Sequence, residues 1–164
     1  MWELGGNVYH QGSRFEASAA TVPFLARMVD DPSTPGRAGV LWLLRTIAIG
    51  DLDDTALPFA PDAHFAEADG ITDDAVAAMA EWLYADEDER AAGWPDDIDA
   101  LDVVWSRNAY LAAAEQSEGF VRWAADDDPE VVAVAAELLA WFPVTEAAVE
   151  ALMSVPADES HSGA

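Results

Sequence analysis

Residues 23–48 read PFLARMVDDPSTPGRAGVLWLLRTIA, and residues 119–143 read GFVRWAADDDPEVVAVAAELLAWFP. With a two-residue gap, the two stretches follow one plan: a short apolar helix, an Asp-Asp-Pro turn and a second helix. Phe24 aligns with Phe120, Asp31-Pro32 with Asp128-Pro129, and Leu43-Leu44 with Leu138-Leu139. Residues 149–158, VEALMSVPAD, repeat the first half of the plan once more. A single helical hairpin cannot bury its own apolar face, so hairpins that recur along a chain stack on one another.

Outward from the repeat, almost every segment has helical periodicity. Ser13-x-x-Glu16 has the pattern of a capping box. The helix it would open carries Phe15, Ala19, Val22, Leu25, Met28 and Val29 at helical spacing. Pro23 lies inside that run and predicts a kink or break, because it lacks the backbone donor and crowds the Ala19 carbonyl. Thr34 is placed to cap the next helix, with Pro35 at its first position. Residues 50–70 hold two Pro, two Gly and six acidic residues, which predicts a long loop or a loop with a short helical turn. Thr72 or Asp73 would cap a helix striped by Val76, Met79, Trp82 and Leu83. A long helix is expected over about 97–116, a short one at EGFVRWAAD, one after Asp128 with Pro129 at its first position, and a last one at VTEAAVEALMSVP. Residues 157–164 read as a frayed tail. No alternating run long enough for a useful strand is evident.

The chain has 164 residues, a size natural for one domain with a sizeable core. Its 52% hydrophobic content and seven Trp separate it from disordered acidic tails. Thirty-two acidic residues face seven basic ones, all Arg, for a formal net charge of −25. Nucleic acids and anionic membranes are bound mainly through Lys and Arg, so both are poor partners for this chain. The charge suits a basic partner and would speed encounter with it, or else serves solubility alone. Cysteine is absent, which excludes disulfides, thiolate metal sites and a Cys nucleophile. With no apolar window long enough for a membrane span and no signal-peptide pattern at its start, the expected location is cytoplasmic.

The stretch DDDPEVVAVAAELLAWFP followed by VTEAAVEALMSV resembles a HEAT repeat, in which helical hairpins are joined through Asp-Pro turns. HEAT repeats usually carry an Arg in the turn-to-helix segment; Arg37 matches it in the first copy, and Val132 stands there in the second. GNVYHQGSRFEASAATVPFL further resembles a group of bacterial HEAT-repeat proteins of unknown function with a similar HQG…A…VPFL run. The resemblance covers residues 5–50 and 105–155, and implies an all-α, right-handed α-solenoid of HEAT-like hairpins. Residues 51–97 fit no repeat and are expected to form an irregular acidic, insertion-like segment within a single domain. Solenoids usually end in capping repeats. Here the ends look uncapped, so the chain is expected to be a fragment or variant, or to have its ends covered by a partner or by a second copy.

The candidate chemistry is sparse. His10, between Tyr9 and Gln11, is the one base with suggestive neighbours, but it lacks the nucleophile and third group that a catalytic constellation needs. His64 and His161 have no helical His-x-x-x-His partner, so no zinc site is expected. Asp51-x-Asp53-Asp54, Asp86–Glu89 and Asp126–Asp128 lack the spacing of an EF-hand loop and read as helix caps and helix starts. Trp42, Trp82, Trp105 and Trp141 fall on apolar stripes and are expected in the core. The candidate protein-binding residues are Tyr9, His10, Asp86, Glu87, Asp88, Glu89 and Trp94, the last a loop Trp of the kind favoured at binding hot spots.

The expected function is a non-enzymatic protein-binding module with an acidic surface, needing no cofactor or metal, whose partner is basic, for example a toxin or nuclease. The alternatives are a HEAT-like enzyme acting on nucleic acid, which would need a cluster of Arg on one face, and a structural or homo-oligomerising unit built on the uncapped ends.

Overall fold

The computed structural model describes residues 6, 8–10, 13–86, 90, 98–143 and 145–154. The fold is all-α. The longer helices are α1 (Glu16–Asp30), α2 (Arg37–Ile49), α4 (Asp73–Tyr84), α5 (Ile98–Ala114), α6 (Ser117–Trp123), α7 (Pro129–Leu139) and α8 (Glu146–Ser154); a short α3 (Pro61–His64) lies between α2 and α4. Ahead of α1, β1 (Tyr9–His10) and β2 (Ser13–Arg14) form a two-residue antiparallel ladder, with Tyr9 opposite Arg14 and His10 opposite Ser13.

That ladder moves the start of α1. Ser13 is drawn into the strand pair, so it does not cap the helix. Phe15 is the cap residue instead, and the Ser18 hydroxyl accepts from its backbone N–H at 2.7 Å while donating to the Val8 carbonyl at 2.7 Å. Ser18 is thus a fully buried hydroxyl with both bonds satisfied. The helix runs unbroken through Pro23. An interior proline costs about 3 kcal/mol, and the burial of Val22, Leu25, Ala26 and Val29 on either side offsets it.

The start of α2 also differs from expectation. Asp31 accepts from both the backbone N–H and the hydroxyl of Ser33, at 2.9 and 2.7 Å, which forms a turn through 32–34. The chain then needs a left-handed residue to enter the helix, and Gly36 supplies it at φ 66°, so Thr34 and Pro35 precede the helix without capping it. The later caps agree with expectation. Thr72 accepts from Ala75 N–H at 3.2 Å, and Asp128 accepts from Glu130 N–H at 2.9 Å with Pro129 as the first helical residue.

The two Asp-Pro hairpins, α1–α2 and α6–α7, are direct neighbours: α2 lies against α7. Helix α5 packs across both α1 and α2, and α8 covers α6 and α7. One core cluster runs through all of these, including Leu25, Leu41, Leu44, Ile47, Phe120, Val131, Leu138 and Trp141. Helix α4 packs mainly on α5, through a smaller cluster of Met79, Leu101 and Trp105.

Residues 51–72 are irregular, with short 3-10 turns at Asp54–Ala56 and Ala66–Gly70 around α3. They are nonetheless anchored. Phe59 and Phe65 enter an aromatic group with Tyr110, and Phe59 also meets Trp141 edge-on at 5.7 Å. Tyr110 in turn stacks on Phe142 at 4.9 Å and donates its hydroxyl to the Trp141 carbonyl at 3.0 Å. Trp105, Trp123 and Trp141 are buried, whereas Trp42 corrects the expectation drawn from its stripe: it is 55% exposed. Helix α2 is enclosed by α1, α5 and α7 on its other sides, and Trp42 sits in the narrow sector left open.

Candidate functional site

Of the sequence-predicted site residues, the structure describes the side chains of Tyr9 and Asp86. Tyr9 is half-buried at the base of α1; its hydroxyl donates to Asp51 Oδ1, and the Arg14 guanidinium lies 6.0 Å from its ring centroid. Arg14 also donates from Nε to the Ile47 carbonyl at 3.1 Å, and its backbone N–H reaches Asp102 at 3.3 Å. Burial lowers the Arg14 pKa, with Tyr9, Asp102 and Asp51 opposing that effect. This cluster ties the N-terminal ladder to the end of α2, where Gly50 at φ 64° leaves room for the guanidinium; a Cβ there would come within 2.6 Å of it. His10 is the second residue of β1, and its side chain lies outside the described residues. Asp86 is exposed just after α4, and its carbonyl accepts from Arg90 N–H at 3.0 Å. Glu87, Asp88, Glu89 and Trp94 lie outside the described residues.

What the fold does bring together is the pair of Asp-Pro turns. Arg37, the first residue of α2, donates from Nε to the Val29 carbonyl at 2.8 Å and grips both Asp126 carboxylate oxygens, at 3.1 and 2.6 Å. The pair is largely buried, with side chains 12% and 18% exposed. The Asp126 bond raises the Arg37 pKa, and the same bond lowers that of Asp126. Both shifts favour the charged pair. In the reverse direction, Asp30 at the end of α1 accepts from Arg122 at 3.0 Å and from the Trp123 indole at 2.8 Å. Each turn therefore supplies an acid to a cation of the other. One helical run further along, Arg45 donates to Glu137 at 2.9 Å and to the carbonyls of Gly50 and Leu52.

Between the turns lies an open cleft of about 700 Å³. Its walls include Arg37, Gly39, Arg122, Asp127, Asp128 and Glu130. The two arginines are committed to Asp126 and Asp30, and Asp128 is committed to its cap. Asp127 and Glu130 are exposed. A second, smaller hollow of about 290 Å³ lies between α1, α4 and α5, over Trp105, with Glu16, Asp73 and Asn108 at its sides.

Sequence reasoning pointed at none of this as a site. Arg37 was legible as the repeat arginine, but its partner, 89 positions away, was not. Trp42 carried the signature of a core residue. His64 is exposed and packs its ring on Phe59 and Phe65 at 5.1 and 4.8 Å. Among the described residues, no group of three or more His, Asp or Glu is placed to hold a metal ion, and no helix is long and apolar enough to cross a membrane.

Comparisons of the chain with protein-family models, with curated proteins and with solved structures found no match.

Proposed function

We propose that the protein is a non-enzymatic binding module, a HEAT-like stack of helical hairpins whose acidic surface receives a basic protein partner such as a toxin or nuclease. One observation carries this reading: six of the seven arginines are engaged by the protein's own groups, and Arg90 is exposed. Arg37, Arg45, Arg107 and Arg122 are in ion pairs. Arg14 is turned to the Ile47 carbonyl, and Arg27 lies over the Phe24 ring at 5.8 Å. Exposed carboxylates such as Asp53, Asp54, Asp62, Glu67, Asp73, Asp74, Asp127 and Glu130 have no comparable supply of cations. A surface of that sign attracts a basic protein over several ångströms and repels nucleic acid. The side-by-side hairpins and their cross-linked Asp-Pro turns support the HEAT-like stacking. Arginines so engaged leave little for the Arg-rich face that a nucleic-acid enzyme of this shape would need.

Affinity capture from lysate at low salt tests the reading. A basic protein is expected, and its retention should fall steeply as salt rises, because screening shortens the reach of exposed charges to about 8 Å at physiological ionic strength. Retention that ignores salt overturns it.

Self-association is a second reading, favoured by the last described helix, where Val149, Leu152 and Met153 are exposed at 41%, 38% and 83%. Sedimentation of the protein against a Met153→Glu variant separates the two: a dimer that dissociates in the variant supports this route.

A further inference from the structure

Resting on the proposed acidic-module reading, we infer that the cleft between the two Asp-Pro turns, together with Trp42, is the place where the partner docks, and that the docking group is an arginine-bearing segment. Three observations converge. The cleft walls hold four carboxylates against two arginines, and both arginines are already paired, so an incoming cation finds Asp127 and Glu130 exposed and uncommitted to either of them. Trp42 is 55% exposed on a helix whose neighbours Val40, Leu41, Leu43 and Leu44 are buried. Ala38 and Gly39, both cleft-lining, lie one turn before Trp42 on the same helix face. Helical side chains lean toward the N-terminus of their helix, so the indole projects over the turn that carries those two residues, at the cleft's edge.

The chemistry selects arginine over other groups. A guanidinium stacks flat on an indole and offers a fork of N–H donors to carboxylates beside it, which a compact ammonium does less well. The lining near Trp42 is small: a Cβ built on Gly39 meets nothing within 4 Å. The cleft is therefore open at Gly39, and Trp is enriched among the residues that dominate binding.

Two variants that leave the net charge unchanged test the location. Gly39→Leu narrows the cleft from a position where the added side chain meets open space, and Trp42→Ala removes the stacking platform from an exposed site. Both should keep the helical circular-dichroism spectrum and the unfolding midpoint at or near wild type. The probe is a short oligo-arginine peptide, titrated calorimetrically at low salt, with an oligo-lysine peptide of equal length alongside. Each variant should weaken oligo-arginine binding about thirtyfold, the lower bound for one hot-spot contact. Wild type should prefer arginine to lysine, and Asp53→Asn/Asp54→Asn, which removes two charges elsewhere, should change affinity less than either variant. If both charge-neutral variants bind within about twofold of wild type and affinity follows net charge alone, the docking site is overturned while the acidic-module reading survives. If wild type binds neither peptide at low salt, both fall.

Discussion

Phe24 and Phe120 occupy the same position in the two copies of the hairpin, yet Phe120 is fully buried and Phe24 is 51% exposed. The copies share a local plan but have different neighbours. Helix α6, which carries Phe120, is roofed by α7 and α8, and its ring meets Trp123 at 5.7 Å and Phe142 at 5.2 Å. Helix α1 turns its other face to α2 and α5, leaving Phe24 outward beneath Arg27. The same divergence separates Arg37 from its counterpart Val132. One copy supplies the long cation, and the other supplies the acid that receives it. Repetition provides two similar surfaces, and the differences between them make the pair lock in one register.

Truncating both phenylalanines puts the contrast between the copies to its severest test. Phe120→Ala should cost about 3–5 kcal/mol, the range for emptying a fully buried aromatic site. Phe24→Ala should stay within about 0.5 kcal/mol. Urea midpoints of the two variants measure the difference directly, and equal losses would mean that the copies are equivalently packed after all.

A smaller effect is expected from the brace between the turns. Arg37→Ala or Asp126→Asn should each cost about 2 kcal/mol, since each leaves one side of a largely buried charged hydrogen bond unpaired. The double variant should cost less than the sum. The pH dependence has a definite sign. The pKa of Asp126 is lower in the folded protein than in the unfolded chain. Its contribution is therefore present above the unfolded value of about 3.9 and is lost as pH falls through the lower folded value. Stability curves taken below about pH 4 should fall less steeply for Asp126→Asn than for wild type.

The smallest contrast lies at the helix starts. Asp128→Ala should cost about 1 kcal/mol by removing the cap on Glu130 N–H. Gly36→Ala should cost a similar amount, about 1 kcal/mol, for a different reason, because a Cβ is unfavourable at its positive φ. Serine tells them apart: asparagine should restore the cap at 128 and also relieve much of the strain at 36 relative to alanine, whereas serine should rescue only position 128.

Much of the helical layout was legible in the chain. Caps such as Thr72 and Asp128, the proline after Asp128 and the periodic stripes are local signals, and each acts within a turn or two of its own residue. Where a local signal is overridden, a tertiary or neighbouring contact is the cause. Ser13 carries a cap pattern, but pairing with His10 across a two-residue ladder takes its place. Thr34 and Pro35 look like a helix start, but the Asp31–Ser33 turn delays the helix to Gly36. Trp42 lies on an apolar stripe, but α2 is enclosed on its other sides and the indole is left outside. The candidate site was less legible still, since Arg37 and Asp126 are brought together only when the two hairpins meet.

The all-α character, the repeated hairpin and the excess of negative charge are set by the chain alone, because helix signals act locally and charge is additive. Tertiary packing decided which phenylalanine is buried, which carboxylate each arginine consumes and which tryptophan faces solvent. Those outcomes depend on which faces meet across some 90 residues of intervening chain, and a helix's own periodicity shows that it has an apolar face without saying how many neighbours will share it.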